Sequence, residues 1–285
     1  MKRSRPPARR RFGQHFLAAA WARKVVQAIA PEPGDVFLEI GPGHGALTMP
    51  LAESGAPILA IEIDRDLVAQ LAPKLPPNVT LLTGDVLTAN VISFLRGLDP
   101  QRPPAMAAGP APPRRYRVAG NLPYNVATPI LFRLIELHRH QPFFVDATVM
   151  VQKEVGDRLA AKPGRKEYGA LSILAQLHCR IERLLELPPG AFSPPPKVRS
   201  SVVRLTFTPP AVRVADDLLF DQIVKALFSQ RRKTLLNALK RYDPLGPAVL
   251  QISGLDGRRR PETLQVAEIA RLVELFAAAR RPAVL

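Results

Sequence analysis

Cysteine is almost missing. Cys179 is the one thiol in 285 residues, which excludes a disulfide framework and a thiolate-rich metal site. The five histidines fall at no metal-ligand spacing, so no metal is expected. No run of about 18 apolar residues occurs, so nothing reads as membrane-spanning. Acidic residues are the other deficit: 24 Asp and Glu stand against 40 Lys and Arg, a net charge of +16. Such an excess favours polyanionic partners and salt-sensitive association with them, although solubility alone or a genome rich in arginine codons would also produce it.

The acids are also absent from the extreme N-terminus, where Lys2, Arg3, Arg5, Arg9, Arg10 and Arg11 follow one another. That block reads as a flexible basic tail, residues 1–11, of the kind that touches nucleic acid. No apolar stretch follows it as in a secretory signal, and ordered-looking sequence from Phe12 leaves little room for a transit peptide. A cytoplasmic protein is expected. No surface signal demands a dimer, so a monomer is expected too.

A hydrophobic fraction of 47% is enough for a sizeable core. Val36–Ile40, Ile58–Ile63, Val79–Thr83, Tyr116–Ala119, Ala147–Val151 and Val202–Phe207 read as strands, short and rich in Val, Ile and Leu. Ala46–Ser54, Asp66–Leu71, Pro129–His138, Lys153–Ala161 and Gly169–Cys179 read as the helices between them. This alternation predicts an α/β fold, a mostly parallel sheet with helices on both faces, over residues 12–208. Asp99–Arg115, rich in Pro and Ala, reads as a surface loop. Beyond Thr208-Pro209-Pro210 only helical periodicity remains, at Leu218–Tyr242 and Pro261–Ala279, which predicts a small all-helical C-terminal domain over residues 209–285.

Where the first strand turns into a helix the chain reads Glu39-Ile40-Gly41-Pro42-Gly43-His44-Gly45. Glycines there permit positive φ and a close approach of backbone to ligand. Taken alone, a plain tight turn explains them equally well. The dinucleotide fingerprint G-x-G-x-x-G is close, but the third glycine comes one residue early. The second strand ends in Ile61-Glu62-Ile63-Asp64, and an acid there can accept from both hydroxyls of a ribose. The third ends in Gly84-Asp85-Val86, where a carboxylate can accept from an adenine amino group. Together these features describe a pocket for an adenosine with no phosphate requirement, which favours S-adenosylmethionine over NAD.

The fourth strand ends in Ala119-Gly120-Asn121-Leu122-Pro123-Tyr124. The exocyclic amine of adenine is a weak nucleophile because its lone pair is delocalised into the ring. A site can help it by accepting hydrogen bonds from the two amino hydrogens, and the Asn121 side-chain oxygen with the Leu122 carbonyl would serve. Pro123 stiffens the turn, and Tyr124 can stack on the base. No general base is needed. Phe192, in a proline-stiffened loop before the last strand, is the candidate for a second stacking ring; a core Phe pinning that loop is the alternative.

With these residues on the page, the chain resembles the KsgA/RsmA family of ribosomal RNA small-subunit adenine N6,N6-dimethyltransferases. The resemblance runs in order along nearly the whole chain: Phe12–Leu17, the Glu39–Gly45 loop, Ile61–Asp64, Gly84-Asp85, Asn121–Tyr124, Val151–Val155, Tyr168–Ser172, Phe192–Val198 and Gln230–Leu235. It implies a Rossmann-like class I methyltransferase fold with a seven-stranded sheet. It also implies S-adenosylmethionine as methyl donor, S-adenosylhomocysteine as product, and the 3′-terminal hairpin loop of 16S rRNA in the 30S particle as substrate, where two adjacent adenosines are dimethylated during small-subunit biogenesis. By the same resemblance His15 and Leu17 join Gly41, Gly43, Glu62, Asp85, Val86 and Asn121 in the cofactor site. Arg9, Arg10, Arg11, Lys197, Arg231, Arg232 and Lys233 are the candidate RNA contacts, with a solvated helix face as the alternative for the last three. An Erm-type 23S rRNA adenine methyltransferase shares the glycine loop and the Asn-Leu-Pro-Tyr type of motif. A non-catalytic nucleic-acid-binding relative and a DNA adenine methyltransferase are the more distant readings.

Overall fold

A computed structural model describes residues 15–98, 114–229 and 233–280. Arg9, Arg10, Arg11, Arg231 and Arg232, the basic tail and most of the Pro/Ala-rich loop lie outside the described residues.

The described chain divides into two compact units. Residues up to Gly156, with Glu182–Phe207, form the first; Asp157–Ile181 and the residues from Thr208 form the second.

The first unit contains β1 (Phe16–Leu17), α1 (Ala19–Ile29), β2 (Asp35–Ile40), α2 (Thr48–Ala52), β3 (Ile58–Glu62), α3 (Arg65–Leu71), β4 (Val79–Thr83) and α4 (Val91–Gly97). It continues with β5 (Arg115–Asn121), α5 (Ala127–His140) and β6 (Phe144–Gln152). In chain order α6 (Lys153–Leu159) and α7 (Ala170–His178) come next, α7 and most of α6 belonging to the second unit, and then β7 (Cys179–Leu187), β8 (Phe192–Ser193) and β9 (Ser200–Phe207). Seven strands form one sheet in the order β4-β3-β2-β5-β6-β9-β7. The β2–β3, β3–β4, β2–β5 and β5–β6 pairs are parallel, and β6–β9 is antiparallel.

Every residue of β2 and β3 is buried, as in a strand with helices on both faces, and that is why both read as continuous apolar runs. β7 was not read as a strand. Its sequence, Cys-Arg-Ile-Glu-Arg-Leu-Leu-Glu-Leu, mixes charge into the apolar pattern because it lies at the sheet edge, where charged side chains also deter further pairing. Short β1 and β8 pair antiparallel to each other, Leu17 opposite Phe192.

β2 and β5 are neighbours although β3 and β4 lie between them in the chain, so the strand order reverses between them. In open α/β sheets that reversal opens a crevice at the carboxyl ends of the strands. At the opposite ends a buried ion cluster ties the layers together. Arg117 of β5 bonds Asp146 of β6 (Nε to Oδ1 3.0 Å, Nη2 to Oδ2 2.9 Å) and Asp35 of β2 (2.7 Å). Its remaining donors reach the carbonyls of Ile29 and Ala30, the end of α1, at 2.8 and 3.1 Å. Arg204 of β9 adds bonds to the Ala28 and Ile29 carbonyls. Four strands and one helix end therefore share two guanidinium groups.

In the second unit α8 (Asp217–Ser229), α9 (Leu235–Tyr242), α10 (Gly246–Ser253) and α11 (Val266–Ala279) follow one another. The single helical stretch expected over Leu218–Tyr242 is two helices; α9 starts afresh with the Thr234 side chain accepting from the Asn237 N–H. Asp157–Ile181, expected with the sheet, groups with these helices. The cause is Tyr168: it is fully buried, donates to the Leu264 carbonyl at 3.0 Å and packs edge-on against Phe228. Cys179 is buried, which pushes its thiol up to about 12 and leaves it unreactive. No helix among the described residues is long and apolar enough to cross a membrane.

Replacing Arg117 with Leu removes the guanidinium that buried Asp35 and Asp146 share and leaves them only the longer contacts to Arg115 (3.5 Å) and Arg204 (3.9 Å). The expected loss in chemical denaturation is about 3–5 kcal/mol, the usual cost of breaking a buried pair from one side. A loss below about 1 kcal/mol would mean that the carboxylates find water or take up protons at little cost.

Candidate active site

The crevice at the carboxyl ends of the strands is a cleft walled by four loops. The Glu39–Leu47 turn after β2 forms the floor, Glu62 and Ile63 after β3 with Gly84–Leu87 after β4 form one side, and Asn121–Val126 after β5 forms the other. His15, Phe16 and Leu17 close it from the N-terminal side. All the residues expected to bind a cofactor line this one cleft: His15, Leu17, Gly41, Gly43, Glu62, Asp85, Val86 and Asn121. The expected catalytic residues Asn121, Leu122, Pro123 and Tyr124 line it too.

The glycine turn folds as it does because Gly41, Gly43 and Gly45 all have positive φ, at 70°, 58° and 81°. A Cβ on Gly43 would also lie 3.2 Å from the Phe16 ring, which would have to shift to admit it. Glu62 holds the turn in place. One of its carboxylate oxygens accepts from the Gly43 N–H at 3.1 Å and the other from the Asp64 N–H at 3.0 Å. Each oxygen keeps a lone pair for a further donor. Burial raises the Glu62 pKa, opposed by those backbone bonds. Asp85 is oriented by the Leu87 N–H at 2.9 Å.

Glu39, the first residue of the glycine motif, was not among the expected site residues. It lines the cleft, is 1% exposed, and its Oε2 has no hydrogen-bond partner among the described residues. Burial pushes its carboxyl up to about 7, with the nearby charge of Glu62 acting in the same direction. An acid inside the otherwise apolar strand Asp-Val-Phe-Leu-Glu-Ile was the available signal.

At the other wall the Asn121 amide nitrogen donates to the His15 carbonyl at 2.8 Å, which leaves Oδ1 as the end of the amide that can accept. Leu122 is buried and its N–H donates to the Met150 carbonyl at 3.1 Å. The His15 ring lies 5.3 Å from that of Tyr124, tilted by 31°, and its Nδ1 bonds the Pro194 carbonyl at 2.8 Å. His15 thus touches both Asn121 and Tyr124.

Phe192 does not join this cleft, and its expected stacking role is corrected. The residue is 4% exposed and packs in the core with Leu17, Val202 and Ala191. Pairing of β8 with β1 turns its side chain inward, so pinning the loop is its role here. Lys197 is exposed in the loop that follows, and Lys233 is exposed just before α9. Among the described residues no group of three or more His, Cys, Asp or Glu side chains could hold a metal ion.

A Rossmann-like methyltransferase is the class that this sheet order and cleft define. The family profile described as Ribosomal RNA adenine dimethylase matches residues 6–278, and the chain belongs to that family. It is 42% identical over 274 residues to Ribosomal RNA small subunit methyltransferase A of Pseudomonas aeruginosa, with 95% of each chain covered. The protein of the same name from Xylella fastidiosa is 40% identical over 270 residues, covering 93% of this chain and 95% of that one. Two solved structures share the fold at 24% identity. A dimethyladenosine transferase from Plasmodium falciparum has a TM-score of 0.69, with 93% of this chain and 98% of that chain covered. The 23S rRNA methyltransferase ErmE has a TM-score of 0.63, with 92% and 99% covered.

The cleft can be tested for a cofactor from its own chemistry. S-adenosylmethionine is an adenosine whose methionine arm carries a sulfonium, an ammonium and a carboxylate, a net charge of +1 at neutral pH. The cleft offers an orphaned carboxylate oxygen on Glu39, a second buried carboxylate with spare lone pairs on Glu62, and a glycine turn that lets backbone come close. Those residues fit the group.

Glu39 supplies a pH test. Its folded-state value lies above the unfolded one, so the neutral form stabilises the fold at low pH, and that contribution is lost as pH rises from about 4.5 through about 7. Glu39→Gln should match the wild type near pH 5 and be the more stable near pH 8, by on the order of 3 kcal/mol. Equal stability at both pH values would show that the carboxyl titrates normally.

Proposed function

We propose that this protein is an S-adenosylmethionine-dependent rRNA adenine N6,N6-dimethyltransferase that acts on two adjacent adenosines in the 3′-terminal hairpin loop of 16S rRNA. The observation that carries the reading is the clamp on Asn121, whose amide nitrogen is committed to the His15 carbonyl so that Oδ1 serves as acceptor. The relatives named as small-subunit methyltransferases support the choice of RNA.

When bound, the cofactor supplies an electrophilic methyl group on a sulfonium. Glu62 would hold the ribose hydroxyls, Asp85 the adenine amino group, and the backbone at Gly41 and Gly43 would lie along the ligand, with Val86, Leu17 and His15 as the flanking contacts. At the target base, Asn121 Oδ1 and the Leu122 carbonyl accept from the two amino hydrogens. Positive charge grows on that nitrogen during attack, and acceptors already aimed at it stabilise that charge without reorganising. Pro123 adds no competing N–H donor in the turn. Tyr124 stacks on the flipped base and excludes water. Holding nitrogen, methyl carbon and leaving sulfur in line is worth about 7–11 kcal/mol, which leaves little for a general base to do. After the first transfer the methylated nitrogen releases one proton to solvent and keeps one hydrogen, which one of the two acceptors can orient for the second transfer.

The exposed Lys197 and Lys233, together with Arg9, Arg10, Arg11, Arg231 and Arg232, are assigned to RNA phosphates in this reading, and the helical C-terminal part to RNA binding. The protein would work as a monomer in the cytoplasm on 30S particles. Its net charge of +16 fits a polyanion of that size.

Labelled S-adenosylmethionine given with unmethylated 30S and, separately, 50S particles tests the substrate. N6,N6-dimethyladenosine from 30S alone is expected; label in 50S alone would move the assignment to the large-subunit reaction. Asn121→Ala should cost at least about 100-fold in transfer, the usual penalty for removing a preorganised polar contact, with RNA affinity unchanged. RNA affinity falling in step with activity would remove Asn121 from the chemistry.

A further inference from the structure

Tyr124 is tethered at its far end as well as at its backbone. Its hydroxyl lies 2.5 Å from the Ser200 Oγ. Ser200 opens β9 opposite Gln152 of β6 and is fully buried, and the Lys153 N–H donates to the Arg199 carbonyl at 2.9 Å beside it. The serine is therefore fixed by the sheet and lies outside the mobile part of any loop. The turn that carries Tyr124 is short: the Val126 N–H closes back on the Pro123 carbonyl at 3.1 Å, and the ring of Tyr124 projects from it only partly buried.

A hydroxyl sits on the long axis of a tyrosine ring. A bond to it fixes where that axis points but leaves the ring free to turn about it. The tilt must come from a contact on a face, and the His15 ring at 5.3 Å supplies one. The two contacts are independent and complementary. One comes from the first residue of the last strand of the sheet order's antiparallel pair, the other from the segment that also holds Asn121. A stacking ring whose axis wandered would admit the base over a range of positions, and in-line attack tolerates little misplacement.

We infer that Ser200 is a positioning residue for the methyl transfer: it fixes the axis of Tyr124 so that the target base stacks in register with the Asn121 and Leu122 acceptors. The inference rests on the adenine methyltransferase reading above. Ser200 does not line the cleft and reaches it only through the Tyr124 hydroxyl, so its effect is expected on turnover.

The test is a double-mutant cycle on the full-length protein, with 30S particles and labelled S-adenosylmethionine. Ser200→Ala and Tyr124→Phe should each lower kcat about tenfold, the equivalent of one lost positioning hydrogen bond, with KM for S-adenosylmethionine unchanged. Because the two changes remove the same bond, the double variant should lose no more than either alone. Ser200→Thr, which keeps the hydroxyl, should recover most of the rate. Losses that multiply in the double variant, or a Ser200→Ala enzyme as fast as the wild type, overturn the inference. If Ser200→Ala proves too unstable to assay, Tyr124→Phe decides by itself, since an unchanged kcat there means the hydroxyl anchors nothing. A wild-type protein that transfers no methyl to rRNA would defeat the parent reading instead, so the two failures are distinct.

Discussion

The arrangement depends on how closely β5 approaches β2 at Gly120. A Cβ at that position would lie 2.7 Å from the Ile40 carbonyl, so nothing larger than hydrogen fits. In the parallel register Ile40 faces Gly120; β2 ends at Ile40 and β5 one residue after Gly120, at Asn121. The glycine turn and Asn121 are thereby forced to emerge side by side, and a Cβ on Gly41 would come within 3.8 Å of the Asn121 carbonyl. A strand reversal opens a crevice in many α/β proteins. This contact brings the glycine turn and Asn121 to opposite walls of one narrow crevice. The Arg117 cluster secures the opposite ends of the same two strands, so they cannot splay apart to relieve the crowding.

Electrostatics then separates the two walls. Glu39 and Glu62 are both buried on the glycine side, and burial holds both carboxyls above their ordinary range. Keeping two acids together in a dry cleft is unfavourable unless a cation joins them. On the Asn121 wall the described polar atoms are amide, carbonyl and hydroxyl, with the His15 ring bonded at Nδ1 to Pro194. In the reading proposed above, the acceptors on that wall would suit an amine that becomes positive only during reaction. A carboxylate there would hold the amine just as well but would also draw the cationic cofactor out of place.

Much of this was legible in the chain. Glu62 and Asn121–Tyr124 could be found because β3 and β5 are largely buried, and buried parallel strands are the easiest elements to read from an apolar run, whereas Asp85 follows the half-exposed β4 and was legible from its spacing after Glu62. The elements that escaped lie where that signal fails. β7 carries edge charges; α1, Ala-Ala-Trp-Ala-Arg-Lys-Val-Val-Gln-Ala-Ile, has no side-chain cap to mark its start; and the break between α8 and α9 lies in a stretch whose helical period continues on both sides. Phe192 illustrates a different limit. The sequence gives an aromatic in a proline-rich loop near the site, but whether it faces the cleft or the core is decided by which residue of β1 it meets, a contact across more than half the chain.

That pairing also explains why His15 matters more than its composition suggested. With Phe192 and Leu17 turned inward as a pair, the β1–β8 ribbon is anchored in the core, and the residue just before it is held over the cleft mouth. His15 then makes three contacts from one backbone position: its carbonyl to Asn121, its ring to Tyr124 and its Nδ1 to Pro194. The core role of Phe192 and the site role of His15 are therefore two ends of a single lever. A looser residue at position 192 would act on the chemistry only through the orientation of Asn121 and Tyr124, since Phe192 itself does not reach the cleft.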